Sequence, residues 1–127
     1  MAEPDRFGVL LLSGAHDRAH YAFVLATGAA ALGRDVTLFA SNAGCRALLA
    51  DWRTLDDAGR DATIVSRGVA GLDVLREAAI ELGLRMIACE AGLRAEAIDD
   101  AALLPGVQVA GIATFLEATR GGAIVTC

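Results

Sequence analysis

A short apolar segment bounded by glycines constrains the fold of this 127-residue chain more than any other stretch. The segment runs from Gly83 to Gly92 (GLRMIACEAG), and Leu84 to Ala88 within it lead directly to Cys89. A continuous apolar run of this length predicts a strand that is covered on both faces, as in a parallel sheet. The rest of the chain must then supply further parallel strands and the helices that cover them.

The remaining sequence alternates between short apolar strands and helical segments. The other predicted strands are Phe7 to Ser13, Asp35 to Ser41, Val107 to Val109 and Ala123 to Cys127. The predicted helices are Arg18 to Leu32, Cys45 to Trp52, Leu72 to Leu82, Leu93 to Ile98 and Gly111 to Arg120, with a helical turn from Asp99 or Asp100 to Leu104. This alternation predicts a three-layer α/β/α sandwich around a mostly parallel five-stranded sheet. With 127 residues, the chain is expected to form one domain spanning residues 1–127.

Local signals predict some helix ends and leave one segment poorly defined. Asp17 is the expected N-cap of the first helix, and Gly33 is its expected C′ residue. In the third predicted helix, the 3/4 spacing of apolar residues predicts that Arg76 faces solvent. Residues 53–70 have weak periodicity and contain at most a short strand over Ala62 to Ser66, so we expect this to be the least ordered part of the chain.

The charge and composition exclude several functional classes. The net charge is −5, and all eleven basic residues are arginine, so neither a Schiff-base lysine nor a P-loop lysine is available. Scattered arginines in an acidic chain form no basic patch, so no nucleic-acid partner is expected. The apolar stretch from Tyr21 to Leu32 is too short to span a bilayer, and the acidic start from Met1 to Arg6 does not resemble a signal peptide. We therefore expect no membrane partner and a cytoplasmic location.

The apolar content predicts contact between subunits. Hydrophobic residues make up 55% of the chain, although only 5% of the residues are aromatic. An apolar excess in a small domain indicates that part of its surface is buried against another subunit. The first predicted helix, Arg18 to Leu32, is apolar on nearly every side, which favours packing on the sheet and against a neighbour. A homo-oligomer is expected.

The candidate reactive residue is Cys89. The carboxyl ends of parallel strands lie along one edge of a sheet, which is where open α/β folds place their ligands. Cys89 follows its strand and precedes a predicted helix, whose partial positive charge favours a thiolate over a thiol. The alternative is that Cys89 is simply a small buried apolar residue.

Other side chains are expected at the same edge. Cys45 is expected to pack at a helix start, and Cys127 is a candidate accessory or resolving thiol. His16 is a candidate polar neighbour of the thiol, or else a capping or solvated turn residue. His16 and His20 lack a clear third ligand, so no metal site is predicted. Three cysteines without a CxxC motif indicate neither a disulfide framework nor a zinc site, and the absence of GxGxxG and GxxxxGK[ST] predicts no nucleotide cofactor.

One order of segments resembles a known family. The helix LREAAIELG ends at Gly83, the strand MIAC ends at Cys89, and the segment VQVAGIATFLE ends at Glu117. This order resembles the DsrE/DsrF-like sulfur-relay family, which includes the Tus-type proteins of tRNA thiolation, over nearly the whole chain. The resemblance implies a small α/β sandwich that forms trimers or hexamers, with active-site cysteines near subunit interfaces. It also implies that Cys89 carries sulfur as a persulfide between donor and acceptor proteins, without a cofactor.

The sequence after the cysteine departs from the family pattern. Here it is EAGLRAE, from Glu90 to Glu96, whereas similar members carry a stretch rich in Met and Ser. Glu90 beside the thiol opposes its ionisation, while Arg94 favours it. Arg94 is a candidate for holding the anionic terminal sulfur, and His16 is a candidate proton shuttle.

The sequence therefore leads to one main hypothesis and two alternatives. The main hypothesis is a small cytoplasmic sulfur carrier, similar to a sulfurtransferase, that holds sulfane sulfur on Cys89. The first alternative is a non-catalytic oligomeric module that binds a small ligand or a protein at the same edge. The second is a thiol redox sensor that pairs Cys89 with Cys45 or Cys127.

Overall fold

The computed structural model describes residues 5–127 and contains a five-stranded, entirely parallel sheet. The strands are β1 (Arg6–Leu11), β2 (Asp35–Ala40), β3 (Arg85–Cys89), β4 (Gln108–Ala110) and β5 (Ala123–Thr126). The α-helices are α1 (His16–Ala31), α2 (Arg60–Ser66), α3 (Leu72–Glu81), α4 (Glu90–Ala95) and α5 (Ile112–Ala118). Short 3-10 helices cover Asn42–Leu48, Trp52–Thr54 and Asp100–Ala102. The strand order is β4-β3-β2-β1-β5, which confirms the predicted fold class.

The two faces of the sheet are covered by different helices. Leu38 and Ala40 of β2 point into the larger core beneath α1 and α3. The residue between them, Phe39, points to the opposite face, where it packs with Ile87 of β3 and Phe115 of α5. This alternation follows from the two-residue repeat of a strand. It creates two unequal apolar layers, of which the smaller lies beneath α5.

Helix α1 packs closely on the sheet because its inward residues are small. Its buried face includes Ala19, Ala22, Ala26 and Ala29, together with Phe23. Its C-terminal end agrees with the prediction, since Gly33 has a φ of +88° and follows the C-cap residue. The predicted N-cap is wrong, because the helix begins two residues earlier than expected. Asp17 lies in its first turn, where a carboxylate stabilises a helix N-terminus without capping it.

Residues 60–66 form a helix, so the suggested strand over Ala62 to Ser66 is wrong. Only Ile64 within α2 is buried, which explains why the segment has no clear apolar repeat in the sequence. Asp61 in the first turn accepts hydrogen bonds from the side chain of His16 and from the backbone N–H of Leu72. Contacts with α1 and α3, rather than an apolar face of its own, therefore hold α2 in place.

The predicted α-helix from Cys45 to Trp52 and the predicted exposure of Arg76 are both wrong, for one connected reason. The segment forms a 3-10 helix that ends at Leu48, and the following residues are extended. Arg76 is buried, and its guanidinium donates to the carbonyl oxygens of Ala47, Leu49 and Ala50. These carbonyls lack α-helical partners, so a buried arginine supplies the donors that they need.

Across residues 5–127, no helix is both long enough and apolar enough to span a membrane.

Candidate functional site

Cys89 ends β3 and is the N-cap residue of α4, with no residue between strand and helix. Its sulfur accepts a hydrogen bond from the backbone N–H of Gly92, with a donor–acceptor distance of 3.4 Å. The residue is 8% exposed and packs in the smaller apolar layer with Phe39, Ile87 and Phe115. The thiol therefore lies at the carboxyl end of an inner strand and ahead of a helix, as the sequence predicts, although α4 begins at Glu90 and not at Leu93.

A close backbone contact fixes the turn that holds Cys89. A Cβ atom on Gly92 would lie 2.6 Å from both the Asn42 nitrogen and the Ser41 hydroxyl oxygen. Real Cβ atoms do not approach other atoms this closely, so only glycine fits at this position. The first turn of α4 thus rests directly on the chain that leaves β2. Neither Gly92 nor Ser41 could be predicted as a site residue, since a glycine inside a helix carries no local signal of such a contact.

The charged residues of α4 pair with each other. Arg94 donates to the Glu90 carboxylate at 2.7 Å, and both side chains are exposed. An exposed pair of this kind contributes little to stability. With Leu93, Asp100 and Val109, these two residues line a cavity of about 240 Å³.

This cavity lies on the other side of the sheet from the thiol. Val109 of β4 is in register with Ala88, which points into the larger core, whereas Cys89 points into the smaller layer. Arg94 therefore pairs with Glu90, and it does not donate a hydrogen bond to the Cys89 sulfur.

Cys45 lies close to Cys89. It is fully buried in the larger core, and its thiol donates a hydrogen bond to the Ala40 carbonyl oxygen at 3.5 Å. Burial, with the nearby Cys89 as a second cause, raises the pKa of the Cys45 thiol to about 11. Cys45 is therefore protonated at neutral pH and is a poor nucleophile.

Cys127 lies at the end of β5, apart from the other two cysteines. Strands β1 and β2 separate β5 from β3, so Cys127 and Cys89 are three strand spacings, or roughly 14 Å, apart. Burial raises the pKa of the Cys127 thiol, while the charge of Arg18 opposes this rise. All three cysteines are free thiols. Of the three cysteines expected at the carboxyl ends of the strands, Cys45 therefore lies next to Cys89, whereas Cys127 lies at a distance.

His16 is fully buried, so the expectation of a solvated turn residue is wrong. Its Nε2 lies 2.8 Å from Asp61 Oδ1, and its Nδ1 lies 3.4 Å from a guanidinium nitrogen of Arg60. Arginine can only donate, so Nδ1 is the acceptor and Nε2–H donates to Asp61. The contacts of His16 therefore join α1 to α2 instead of reaching the thiol. Asp61 could not be identified as its partner from the sequence, since the two residues are 45 positions apart.

His20 stacks on His16, with ring centroids 5.7 Å apart, and its Nε2 lies 2.8 Å from the Ala70 carbonyl oxygen. Within residues 5–127, no three side chains of His, Cys, Asp or Glu converge closely enough to hold a metal ion.

Comparison with known proteins places this arrangement in a family. A protein-family model described as the DsrE/DsrF-like family matches residues 5–126. No curated protein sequence matches the chain.

Two solved structures have the same fold. The structure is similar to that of the YchN protein from E. coli, with a TM-score of 0.67 and 12% sequence identity over 97% of this chain and 99% of that chain. It is also similar to MTH1491 from Methanobacterium thermoautotrophicum, described as a protein of unknown function. There the TM-score is 0.59 and the identity 20%, again over 97% of this chain and 99% of that chain.

At these identities, the two structures support the fold alone. The family model is the finding that covers almost the entire sequence, including the strand that ends in Cys89. Together with the parallel five-stranded sheet, it shows that this chain belongs to the DsrE/DsrF-like family, which is associated with sulfur relay.

Proposed function

We propose that this protein carries sulfane sulfur as a persulfide on Cys89. The observation that carries the proposal is the position of Cys89 as both the last residue of β3 and the N-cap of α4. This position directs the backbone N–H of Gly92 at the sulfur and favours a negative charge there. The family's association with sulfur relay supplies the class of chemistry.

The transfer is a thiol exchange without net oxidation. The Cys89 thiolate attacks the outer sulfur of a donor persulfide, the donor S–S bond breaks, and the donor leaves as a thiolate that keeps the bonding electron pair. Cys89 then carries the outer sulfur as a persulfide. In the second step, an acceptor thiolate attacks that outer sulfur, and Cys89 leaves as a thiolate. Neither step needs a metal or an organic cofactor.

The surroundings of Cys89 favour transfer between docked proteins. With 8% of the residue exposed, a donor must approach closely before its sulfur reaches the thiol. Cys45 does not compete for the sulfur, because its proton is retained to about pH 11. The partners are therefore a sulfur-donor protein and a sulfur-acceptor protein.

The same proposal includes self-association and a cytoplasmic location. Apolar side chains remain exposed on helices of both layers, including Tyr21 and Leu32 of α1 and Ile112 and Leu116 of α5. Burial of such residues against further copies, as a trimer or hexamer, would remove them from water. A reducing compartment suits a chain with three free thiols.

A second candidate is a binding module without covalent chemistry. It is favoured by the absence, within residues 5–127, of any titratable side chain that hydrogen-bonds to the Cys89 sulfur. In this case, Cys89 is a small residue beneath a docking site. A redox pair of Cys89 with Cys45 is less favoured, because their side chains belong to different apolar layers.

Sulfur loading distinguishes these candidates. The protein is incubated with a low-molecular-weight persulfide donor, and the intact mass is measured before and after addition of an acceptor thiol. We expect a gain of about 32 Da, one sulfur atom, that the acceptor removes. The Cys127→Ser variant should load sulfur as the wild type does, and the Cys89→Ser variant should not. Loading that persists in Cys89→Ser, or that never occurs in the wild type, would reject the carrier proposal.

A further inference from the structure

Strand β5 has an open outer edge in the part of the chain that the structure describes. It pairs only with β1, through bonds such as Cys127 N–H to the Leu10 carbonyl and Leu12 N–H to the Cys127 carbonyl. In a parallel ladder, the N–H and C=O of one residue point to the same side, and successive residues alternate between sides. Since Cys127 points toward β1, Ile124 and Thr126 direct their N–H and C=O groups outward. The edge therefore presents two donors and two acceptors.

This edge lacks the features that usually prevent pairing between chains. Open edges are commonly protected by a charged residue, a proline or a bulge. The sequence of β5 is AIVT, which contains no charged residue and no proline, and its register with β1 is unbroken. Ile124 is 42% exposed and Val125 is 36% exposed, so both faces of the strand present aliphatic side chains.

An exposed apolar patch continues from β5 along α5. Thr114 and Ala118 line a cavity together with Arg85 of β3, so this side of α5 faces β3. Successive helix residues are 100° apart, which places Ile112 and Leu116 on the opposite side, toward β1 and β5. Both residues are about half exposed. The patch therefore flanks the open edge on the α5 face of the sheet.

A second patch flanks the edge on the other face. Tyr21 of α1 is 57% exposed and shares a surface cavity with Thr126 and Cys127 at the end of β5. Its ring therefore lies near the C-terminal end of β5, beside Asp17 and Arg18. Apolar surface thus borders the unpaired backbone groups on the α5 face, and Tyr21 adds an aromatic ring on the α1 face.

We propose that β5 pairs antiparallel with β5 of a second copy, about a two-fold axis at Val125. In this register, Ile124 and Thr126 of one copy lie opposite Thr126 and Ile124 of the other, and all four outward groups of each strand form hydrogen bonds. Val125 lies opposite its own counterpart as a non-hydrogen-bonded pair. The arrangement joins two five-stranded sheets into one of ten strands and closes after two copies.

A second copy fits this edge because the strand is complementary to itself. The outward groups are symmetric about Val125, so reversal of the strand brings each donor opposite an acceptor. β5 contains no charged residue, so no like charges face each other across the axis. The patches on α5 and α1 also meet their own counterparts, as an isologous interface requires. Of the two assemblies proposed above, this pairing is compatible with the hexamer, in which it joins copies in pairs, and not with an isolated trimer. It does not depend on sulfur loading at Cys89.

Disulfide trapping tests the register directly. Val125→Cys and Ile124→Cys are each placed in a Cys89→Ser/Cys127→Ser background, where the remaining Cys45 is buried. Directly opposed residues of a non-hydrogen-bonded pair have Cβ atoms close enough for a disulfide, whereas Ile124 lies opposite Thr126. We expect mild oxidation to give chains of doubled mass several times faster for Val125→Cys than for Ile124→Cys.

Sedimentation measures the assembly itself. Val125→Lys places two like charges opposite each other, so we expect the sedimenting mass to fall at least twofold relative to the wild type. Val74→Lys, at an exposed position of α3, makes the same change away from β5 and should leave the mass unchanged. A monomeric wild type, or equal trapping by the two cysteine variants, would overturn the β5 pairing. An assembly that survives Val125→Lys would show that the copies associate through another surface.

Discussion

Cys89, at the end of β3, and Cys45, in the 3-10 helix after β2, have opposite environments although they are neighbours. Cys89 accepts a backbone N–H bond at its sulfur, and it retains some exposure at the carboxyl end of the strand. Cys45 is fully buried, and its thiol donates a hydrogen bond to the Ala40 carbonyl oxygen. Burial holds the Cys45 thiol in its protonated form, whereas the Cys89 sulfur accepts a backbone N–H, which is why only Cys89 is proposed to carry sulfur.

The environment of Cys45 predicts a specific dependence of stability on pH. Burial raises the pKa of the Cys45 thiol from 9.0 to about 11, so between these values the unfolded chain loses a proton that the folded protein keeps. The folded state then binds more protons, and the free energy of unfolding falls as the pH rises from 9 to 11. A shift of this size corresponds to about 2–3 kcal/mol, fully present below pH 9. Urea unfolding at several pH values measures it.

The matched control is Cys45→Ala, which removes the thiol and keeps the other titrating groups. Its free energy of unfolding should depend less on pH between 9 and 11 than that of the wild type. If the free energy of unfolding falls equally with pH in the two proteins over this range, the folded protein does not raise the pKa of the Cys45 thiol.

Some site residues could be predicted from the sequence and others could not, for a physical reason. Cys89 was identifiable because an apolar run, a cysteine and a following helix are neighbours in the chain. The role of His16 depends on Asp61, which is 45 positions away, and on Arg60. Arg94 was expected to serve the thiol, but a carboxylate one helical turn earlier, Glu90, is its partner. Contacts that are remote in sequence leave no local pattern.

Among the elements, α2 depends on a single carboxylate for its place in the fold. Asp61 Oδ1 accepts from His16 Nε2–H at 2.8 Å and from Leu72 N–H at 3.0 Å, so it links α1, α2 and the start of α3. Replacement by alanine leaves two donors without a partner, of which the histidine is fully buried. We expect Asp61→Ala to lower the free energy of unfolding by about 2–4 kcal/mol.

The Asp61→Asn variant distinguishes the loss of an acceptor oxygen from the effects of other changes at this position. Its amide oxygen can still accept both bonds, so the loss should be clearly smaller than that of Asp61→Ala. Both variants are measured by chemical denaturation. Equal losses would indicate that the acceptor oxygen is not what holds α2.

The start of α4 depends on the absence of a side chain at Gly92. In Gly92→Ala, the added Cβ would lie 2.6 Å from the Asn42 nitrogen, so α4 must move away from the end of β2. Because Gly92 N–H bonds to the Cys89 sulfur, this movement should weaken that bond and lower the rate of sulfur loading at least several-fold. Loading is followed by intact mass against time.

Gly28→Ala is the matched control, since a Cβ at this exposed position of α1 meets no atom within 4 Å. Alanine favours the helix over glycine by about 1 kcal/mol, so this variant should be more stable and should load sulfur normally. If Gly92→Ala loads sulfur as fast as Gly28→Ala, the close contact at Gly92 does not position the thiol.

The elements that the sequence predicted incorrectly lie between β2 and α3. An α-helix was expected from Cys45 to Trp52, since the residues there have adequate helix propensity. The chain instead forms a 3-10 helix, and the buried Arg76 satisfies the carbonyls that follow it. Propensity is a weak signal that a tertiary contact of this kind overrides.

For the whole molecule, the alternation of strands and helices was enough to predict the parallel sheet and its two covered faces. The two faces are not covered equally, which the sequence did not indicate. Helices α1 and α3 lie over the larger core, whereas α5 is the one helix of residues 5–127 that packs on the smaller layer containing Cys89. Exposed apolar residues beside this smaller layer, such as Leu116 and Ile124, are the basis of the proposed pairing through β5.

The central claim is that Cys89, and neither Cys45 nor Cys127, receives sulfur. All basic residues are arginine, so trypsin places the three cysteines in three different peptides: Asp35 to Arg46, Met86 to Arg94 and Gly121 to Cys127. The most direct measurement treats the wild-type protein with one equivalent of persulfide donor and locates the added sulfur by peptide mass. We expect a persulfide in the peptide from Met86 to Arg94. Sulfur in either of the other peptides, or in none, would contradict it.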